Sequence, residues 1–231
     1  MMTPDALPRS PLCRYLARAL LLLLVPLVLL VFQDYGVSND ELVQSTYGKL
    51  LLDYYRSGLS NDAALHYLDL YRYGGAFDMI AALLLPLSPF GEYETRHLLG
   101  GLLGIVGLLG AWRLGRLLGG DRAGLLALVL LLLTPCFIGH SFTNPKDAPF
   151  ATAMLWAVYA IVRVQHELPR PSARTLTLLG VSVGLALSVR VGAILLGPYL
   201  ALGVLLWLAG RWRAGERPAR LAADAARVAL R

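Results

Sequence analysis

The chain has 231 residues, of which 57% are hydrophobic and 16% charged, and a formal net charge of +6. An apolar share this far above that of soluble domains, which is roughly half, leaves a membrane protein as the class. Nucleic-acid binding is excluded by the placement of the basic residues, which sit in short clusters between apolar runs, a mark of membrane topology.

A spanning helix needs about 20 mostly apolar residues. Residues 15–32 qualify. They follow Arg9, Arg14 and Arg18, and no small-x-small cleavage site comes after them, so the run reads as an uncleaved anchor. Residues 97–118, 123–138 and 150–164 are the next three spans. The stretch 176–209 is too long for one span and carries Arg190, so it divides into two with Arg190 near the turn. Residues 74–89 are apolar but short and closed by Pro86 and Pro89, as in an interfacial or re-entrant piece. The predicted fold is therefore all-α, a polytopic transmembrane helical bundle of about six spans, forming one module over residues 1–231. The tail 221–231 reads as the approach to a further helix, which makes the chain part of a larger design.

Six spans place four arginine clusters on one side, around Arg14, Arg116, Arg170 and Arg213. The positive-inside rule makes that side cytoplasmic, with a cytoplasmic N-terminus in a multi-pass inner (plasma) membrane protein. Residues 33–96 and 139–149 are then the first and second extracytoplasmic loops. In the first, Ser38 or Asn39 caps a helix whose apolar face carries Val43, Tyr47, Leu50, Leu51 and Tyr54, an amphipathic helix for the membrane surface. Tyr67, Tyr71 and Tyr73 fit the interfacial aromatic belt. Two GxxxG pairs, Gly100/Gly104 and Gly180/Gly184, predict close packing between helices of the same chain. Cys13 and Cys136 fall on opposite sides, which argues against a disulfide between them.

Charged residues at the outer ends of spans carry the candidate chemistry. Asp40 is either a helix-start carboxylate or a general base for an acceptor hydroxyl, and partial desolvation at an apolar boundary would make such a group more basic. Asp147, between Pro145 and Pro149, is either a helix-dipole partner or a second carboxylate facing the same cavity. Glu41, His140, Lys146 and Arg190 are candidate substrate contacts. Each has a plainer alternative: helix support for Glu41, a structural hydrogen bond for His140, a solvated charge for Lys146 and snorkelling for Arg190. Arg190 presents a fork of donors that suits phosphate oxygens. The sequence has no Walker loop, no dinucleotide fingerprint and no His/Cys cluster spaced for zinc.

The ordered set of Asp40-Glu41, Tyr47, Arg96-His97, Trp112-Arg113, residues 139–150 (GHSFTNPKDAPF) and residues 184–190 (GLALSVR) resembles the N-terminal half of GT-C membrane glycosyltransferases. The resemblance is to the dolichyl-phosphate-mannose protein mannosyltransferase and aminoarabinose transferase type. It implies transfer of a sugar from a polyprenyl phosphate to a protein, lipid or glycan acceptor at the extracytoplasmic face, in contact with membrane lipid. On that resemblance Asp40 is the catalytic base, Asp147 a second acidic site and Arg190 a basic residue near the lipid phosphate. A requirement for a divalent metal stays open. The rival readings are a transporter or flippase-like protein for a lipid-linked or anionic solute, and a non-catalytic fragment.

Overall fold

A computed structural model describes residues 9–217 together with 220, 221 and 224. The expectation about the tail 221–231 therefore lies outside the described residues, apart from Leu221 and Asp224. The described residues form helices α1 (Pro11–Val31), α2 (Asn39–Arg56), α3 (Ala63–His66), α4 (Ala76–Leu84), α5 (Glu92–Leu132), α6 (Pro135–Thr143), α7 (Asp147–Glu167), α8 (Ala173–Val189) and α9 (Leu196–Arg213). Short 3-10 turns occupy Leu70–Arg72, Leu85–Leu87 and Val191–Leu195. No strand occurs among the described residues, and the all-α membrane bundle stands.

Four helical stretches are long and apolar enough to cross a membrane: Pro11–Val31, Glu92–Leu132, Asp147–Glu167 and Val191–Arg213. Straight, the 41 residues of α5 would extend about 60 Å, twice the hydrocarbon thickness of about 30 Å. The helix instead breaks at Gly119 and Gly120, where Gly120 adopts φ 78 and ψ −170, a backbone conformation other residues rarely reach. The second limb folds back on the first. A Cβ on Gly115 would lie 2.8 Å from the Ala123 carbonyl oxygen, so the hairpin closes only because that position is bare. At the other end of this limb Pro135 stops the ladder and starts α6 as its first-turn proline, so the third expected span is two helices in series. Counting both limbs of α5, with α6 continuing the second, and the 17-residue α8 gives the expected six passes.

In the bundle α1 packs on α5, α5 on α6 and α7, and α7 on α8 and α9. Ala17 of α1 meets Leu108, Trp112 and Leu128 of the α5 hairpin in one core cluster. Ala157 and Ile161 of α7 meet Ala186 of α8 and Leu196 of α9 in another. The Gly100/Gly104 pair packs as expected, with Ser141 of α6 seated against both positions. Gly180 and Gly184 do not: nothing lies within 4 Å of a Cβ at either, so the expected intramolecular packing fails there and this face of α8 is open.

The two ends of the bundle differ. At one, Asp121 follows the hairpin turn and accepts from Ser10 N at 2.8 Å and Arg116 Nε at 2.9 Å, with Arg14 Nε 3.1 Å away. This contact joins the first two arginine clusters at the same end. At the opposite end α2 and α4 pack together across the starts of α5 and α7 and the end of α8.

Candidate functional site

Helix α2 sets the site. Ser38 and Glu41 form a capping box, with Ser38 Oγ accepting from Glu41 N and Glu41 Oε2 accepting from Ser38 N at 2.8 Å. Ser38 Oγ also donates to the Thr143 carbonyl at 2.9 Å, tying the start of α2 to the end of α6. The other oxygen of Glu41, Oε1, lies 2.9 Å from His97 Nε2 in α5, and both side chains are buried. That contact has ion-pair distance without hydrogen-bond alignment, since Nε2 has no aligned partner. His97 Nδ1 faces the Phe32 carbonyl at 3.3 Å. Glu41 and His97 thus pin α2 to the mouth of the bundle.

About two turns along α2 the chain crosses α4. A Cβ on Gly48 would lie 2.4 Å from the Asp78 carbonyl oxygen, so the crossing needs glycine. It brings buried Gln44 against buried Asp78. The Asp78 carboxylate pairs with the buried guanidinium of Arg96 through Oδ1 and Nη2. With the Gln44 amide assigned the orientation that satisfies both of its groups, it donates to Asp78 Oδ2 at 3.0 Å and accepts from Lys146 Nζ at 2.8 Å. Lys146 is half-buried, and its ammonium lies 4.9 Å from the centroid of the Tyr73 ring. A polar chain therefore runs from the protein interior to the half-buried Lys146: Arg96, Asp78, Gln44, Lys146.

Burial pushes the Asp78 carboxyl up to about 6, against the opposing pull of Arg96 and Lys146. Burial pulls Lys146 down from its usual range, opposed by Asp78, Asp40 and Asp147 and assisted by Arg190. Burial, then the charge of Asp78, raises the Tyr47 phenol.

Asn144 shapes the entry to α7. Its Oδ1 accepts from Lys146 N at 3.1 Å and Asp147 N at 2.7 Å, while its Nδ2 donates to Asp147 Oδ2 at 3.0 Å. Asp147 Oδ1 pairs with Arg190 Nη1 at 2.7 Å, and both side chains remain partly open to solvent. Arg190 sits where α8 ends, in extended backbone before the 3-10 turn, as expected for a residue near the turn between two spans. Its Nε is buried without a hydrogen-bond partner.

An apolar groove of about 410 Å³ lies between α4, α5, α7 and α8. Phe77, Pro149 and Val189 line it, and along the chain they are close neighbours of Asp78, Asp147 and Arg190. Trp156 and Leu185 line it deeper in the bundle.

A family model described as dolichyl-phosphate-mannose-protein mannosyltransferase matches residues 77–225, more than half of the chain. The chain belongs to this family. It is a membrane glycosyltransferase by family. No curated protein and no solved structure gives a match. Asp78, Arg96, Lys146, Asp147 and Arg190 fall within the matched residues, whereas Asp40, Glu41 and Gln44 precede them.

The structure brings Lys146, Asp147 and Arg190 together, with Asp40 close enough to act on Lys146 electrostatically. Asp40 itself is exposed, so the expected partial desolvation at an apolar boundary is not found. Glu41, a candidate substrate contact, is buried against His97 and engaged with its own helix cap. His140 stands outside the ionic group, exposed on α6 with Nδ1 3.7 Å from Cys136 Sγ. Both cysteines are free. Among the described residues no three His, Cys, Asp or Glu side chains gather as a metal site. Gln44 and Asp78 are not among the candidates that the sequence offers, and Arg96 enters there only as part of the motif set that carries the resemblance. The signal for Asp78 was its place as the one charge in the apolar run 74–89.

Proposed function

We propose that this chain moves a sugar from a polyprenyl phosphate to an acceptor hydroxyl, at the end of the bundle where α2, α4 and the start of α7 meet. Lys146 and Arg190 hold the phosphate, and the isoprenoid chain runs down the apolar groove. The observation that carries this reading is that Lys146 and Arg190 gather around Asp147, close along the chain to Pro149 and Val189, which line a groove whose walls are almost wholly apolar. An amphiphile with an anionic head and a hydrocarbon tail matches both halves.

Asp40 is the base. It takes the proton of the acceptor hydroxyl as the acceptor oxygen bonds to the anomeric carbon and the bond from that carbon to the phosphate oxygen breaks. The phosphate leaves with the electron pair, and Lys146 and Arg190 stabilise the charge that develops on it. Asp147 positions Arg190, holding one nitrogen of the fork and leaving another for a phosphate oxygen. Glu41 positions α2, and with it Asp40, through the cap and His97. The family description makes mannose the first sugar to test. The arginine clusters at the far end of the bundle support a cytoplasmic N-terminus in the inner membrane and an extracytoplasmic site.

A transporter would carry its ionisable groups along a path through the bundle. Here Asp40, Asp78, Lys146, Asp147 and Arg190 gather at one end, which favours the transferase. The test is transfer of label from a polyprenyl-phosphate sugar by the protein in lipid. Asp40→Asn keeps the shape and removes the base, so turnover falls about 10²–10⁴-fold while donor affinity is kept. Wild-type turnover in Asp40→Asn removes Asp40 from this role.

A further inference from the structure

Lysine is a point charge on a flexible stem, so a site that uses one must fix it. Two groups fix Lys146. The Gln44 carbonyl oxygen takes one N–H at 2.8 Å, and the Tyr73 ring lies beside the ammonium at 4.9 Å. Gln44 is itself held. It is 2% exposed, its amide nitrogen is engaged by Asp78 Oδ2 at 3.0 Å, and Asp78 is locked to Arg96. The charges are apportioned along this chain of contacts: Asp78 neutralises Arg96 in the interior, and the neutral amide passes on an acceptor without a negative charge. A carboxylate at position 44 would instead compete with any anion for the lysine. A neutral acceptor orients Lys146 without an ion pair at that nitrogen and leaves two of its three donors for a ligand.

We infer that Gln44 is a positioning residue for Lys146, setting the affinity of the site for an anionic phosphate through the buried Asp78–Arg96 pair behind it. The inference rests on the proposed role of Lys146 as a phosphate contact. It assigns a function to a side chain that touches no substrate and lies outside the residues matched by the family model.

The test is a double-mutant cycle on phosphate affinity. Farnesyl phosphate is titrated into the purified full chain in detergent and followed by tryptophan fluorescence, since Trp156 lines the groove. Gln44→Met keeps the volume and removes both hydrogen bonds, and it weakens binding about tenfold, the scale of one hydrogen bond to a charged group. Lys146→Ala weakens binding at least as much. In the Lys146→Ala background Gln44→Met has no further effect, because its target is gone. Under turnover Gln44→Met raises KM and also lowers kcat, because the mispositioned Lys146 both binds the phosphate and stabilises the charge that develops on it. Additive losses in the double variant overturn the positioning role and leave the phosphate reading standing. Undiminished affinity in Lys146→Ala overturns the phosphate reading, and this inference with it. If Gln44→Met does not fold, Gln44→Asn repeats the cycle, with an amide one methylene too short to reach both partners.

Discussion

Arg190 Nη1 lies 2.7 Å from Asp147 Oδ1, joining the end of α8 to the first turn of α7, close along the chain to Val189 and Pro149 of the apolar groove. Both partners are partly solvated, and exposed ion pairs of this kind contribute only about 0–1 kcal/mol to stability. The pair serves orientation more than folding. Arg190→Ala therefore leaves the thermal midpoint nearly unchanged and weakens farnesyl phosphate binding about tenfold. Arg190→Lys restores the charge without the fork and recovers only part of the affinity. A fall in thermal midpoint of many degrees with unchanged binding would make the pair structural.

Gly48 and Gly180 give opposite expectations for one substitution. A methyl group at Gly48 collides with the Asp78 backbone at 2.4 Å, and backbone cannot swing aside as a side chain can. Gly48→Ala costs about 1–3 kcal/mol and also loosens the contact of Gln44 with Asp78, so stability and phosphate affinity fall together. At Gly180 nothing lies within 4 Å, and the residue is helical. Gly180→Ala is neutral or stabilising by up to about 1 kcal/mol. Thermal unfolding in one detergent compares the two.

Asp78 makes stability depend on pH. Its carboxyl titrates near 6 in the fold, against an ordinary value of 3.8, because it is buried. The folded chain then holds a proton that the unfolded chain has released, and this group's contribution to stability declines as pH rises from about 4 to about 6 and stays level above. The groups facing Asp78 are Arg96 from α5, Lys146 from the loop before α7, and Gln44 and Tyr47 from α2. The double variant Asp78→Asn/Arg96→Gln removes both ionisable members and flattens the stability dependence between about pH 4.5 and 6. An unchanged profile in that variant assigns the titration to another group.

The orientation is tested by labelling. With Cys13 and Cys136 replaced, a cysteine at Asn61 reacts with an impermeant thiol reagent added outside intact cells. One at Ala214 reacts only after permeabilisation. The reverse pattern inverts the topology and moves the site to the cytoplasm.

The spans were legible in the sequence because their signal is local. A run of about 20 apolar residues is costly anywhere but in lipid or a core, and the expected runs end before Gly119-Gly120 and divide near Arg190, where the helices break, whereas the break at Pro135 falls inside an expected span. The cap was legible for the same reason: Ser38 and Glu41 are three residues apart, and one helical turn brings them together. Lys146, Asp147 and Arg190 stood out as charges at the ends of apolar runs.

What only the tertiary structure decided are the pairings between residues distant in the chain. Nothing near Gln44 in the sequence marks it as the bridge between Asp78 and Lys146; it becomes one because Gly48 lets α2 cross α4 at close range. Asp40 and Glu41 are chain neighbours with like charge, yet one faces solvent and the other is buried against His97. Successive helical positions lie about 100° apart, and packing decides which of them faces inward. The two GxxxG pairs read alike, and only one has a helix against it. Composition and periodicity thus settled that the chain spans the membrane and where it turns. The site's charges met only when separate helix ends packed together, because a buried ion pair is specified by a partner in space and not by its neighbours in sequence.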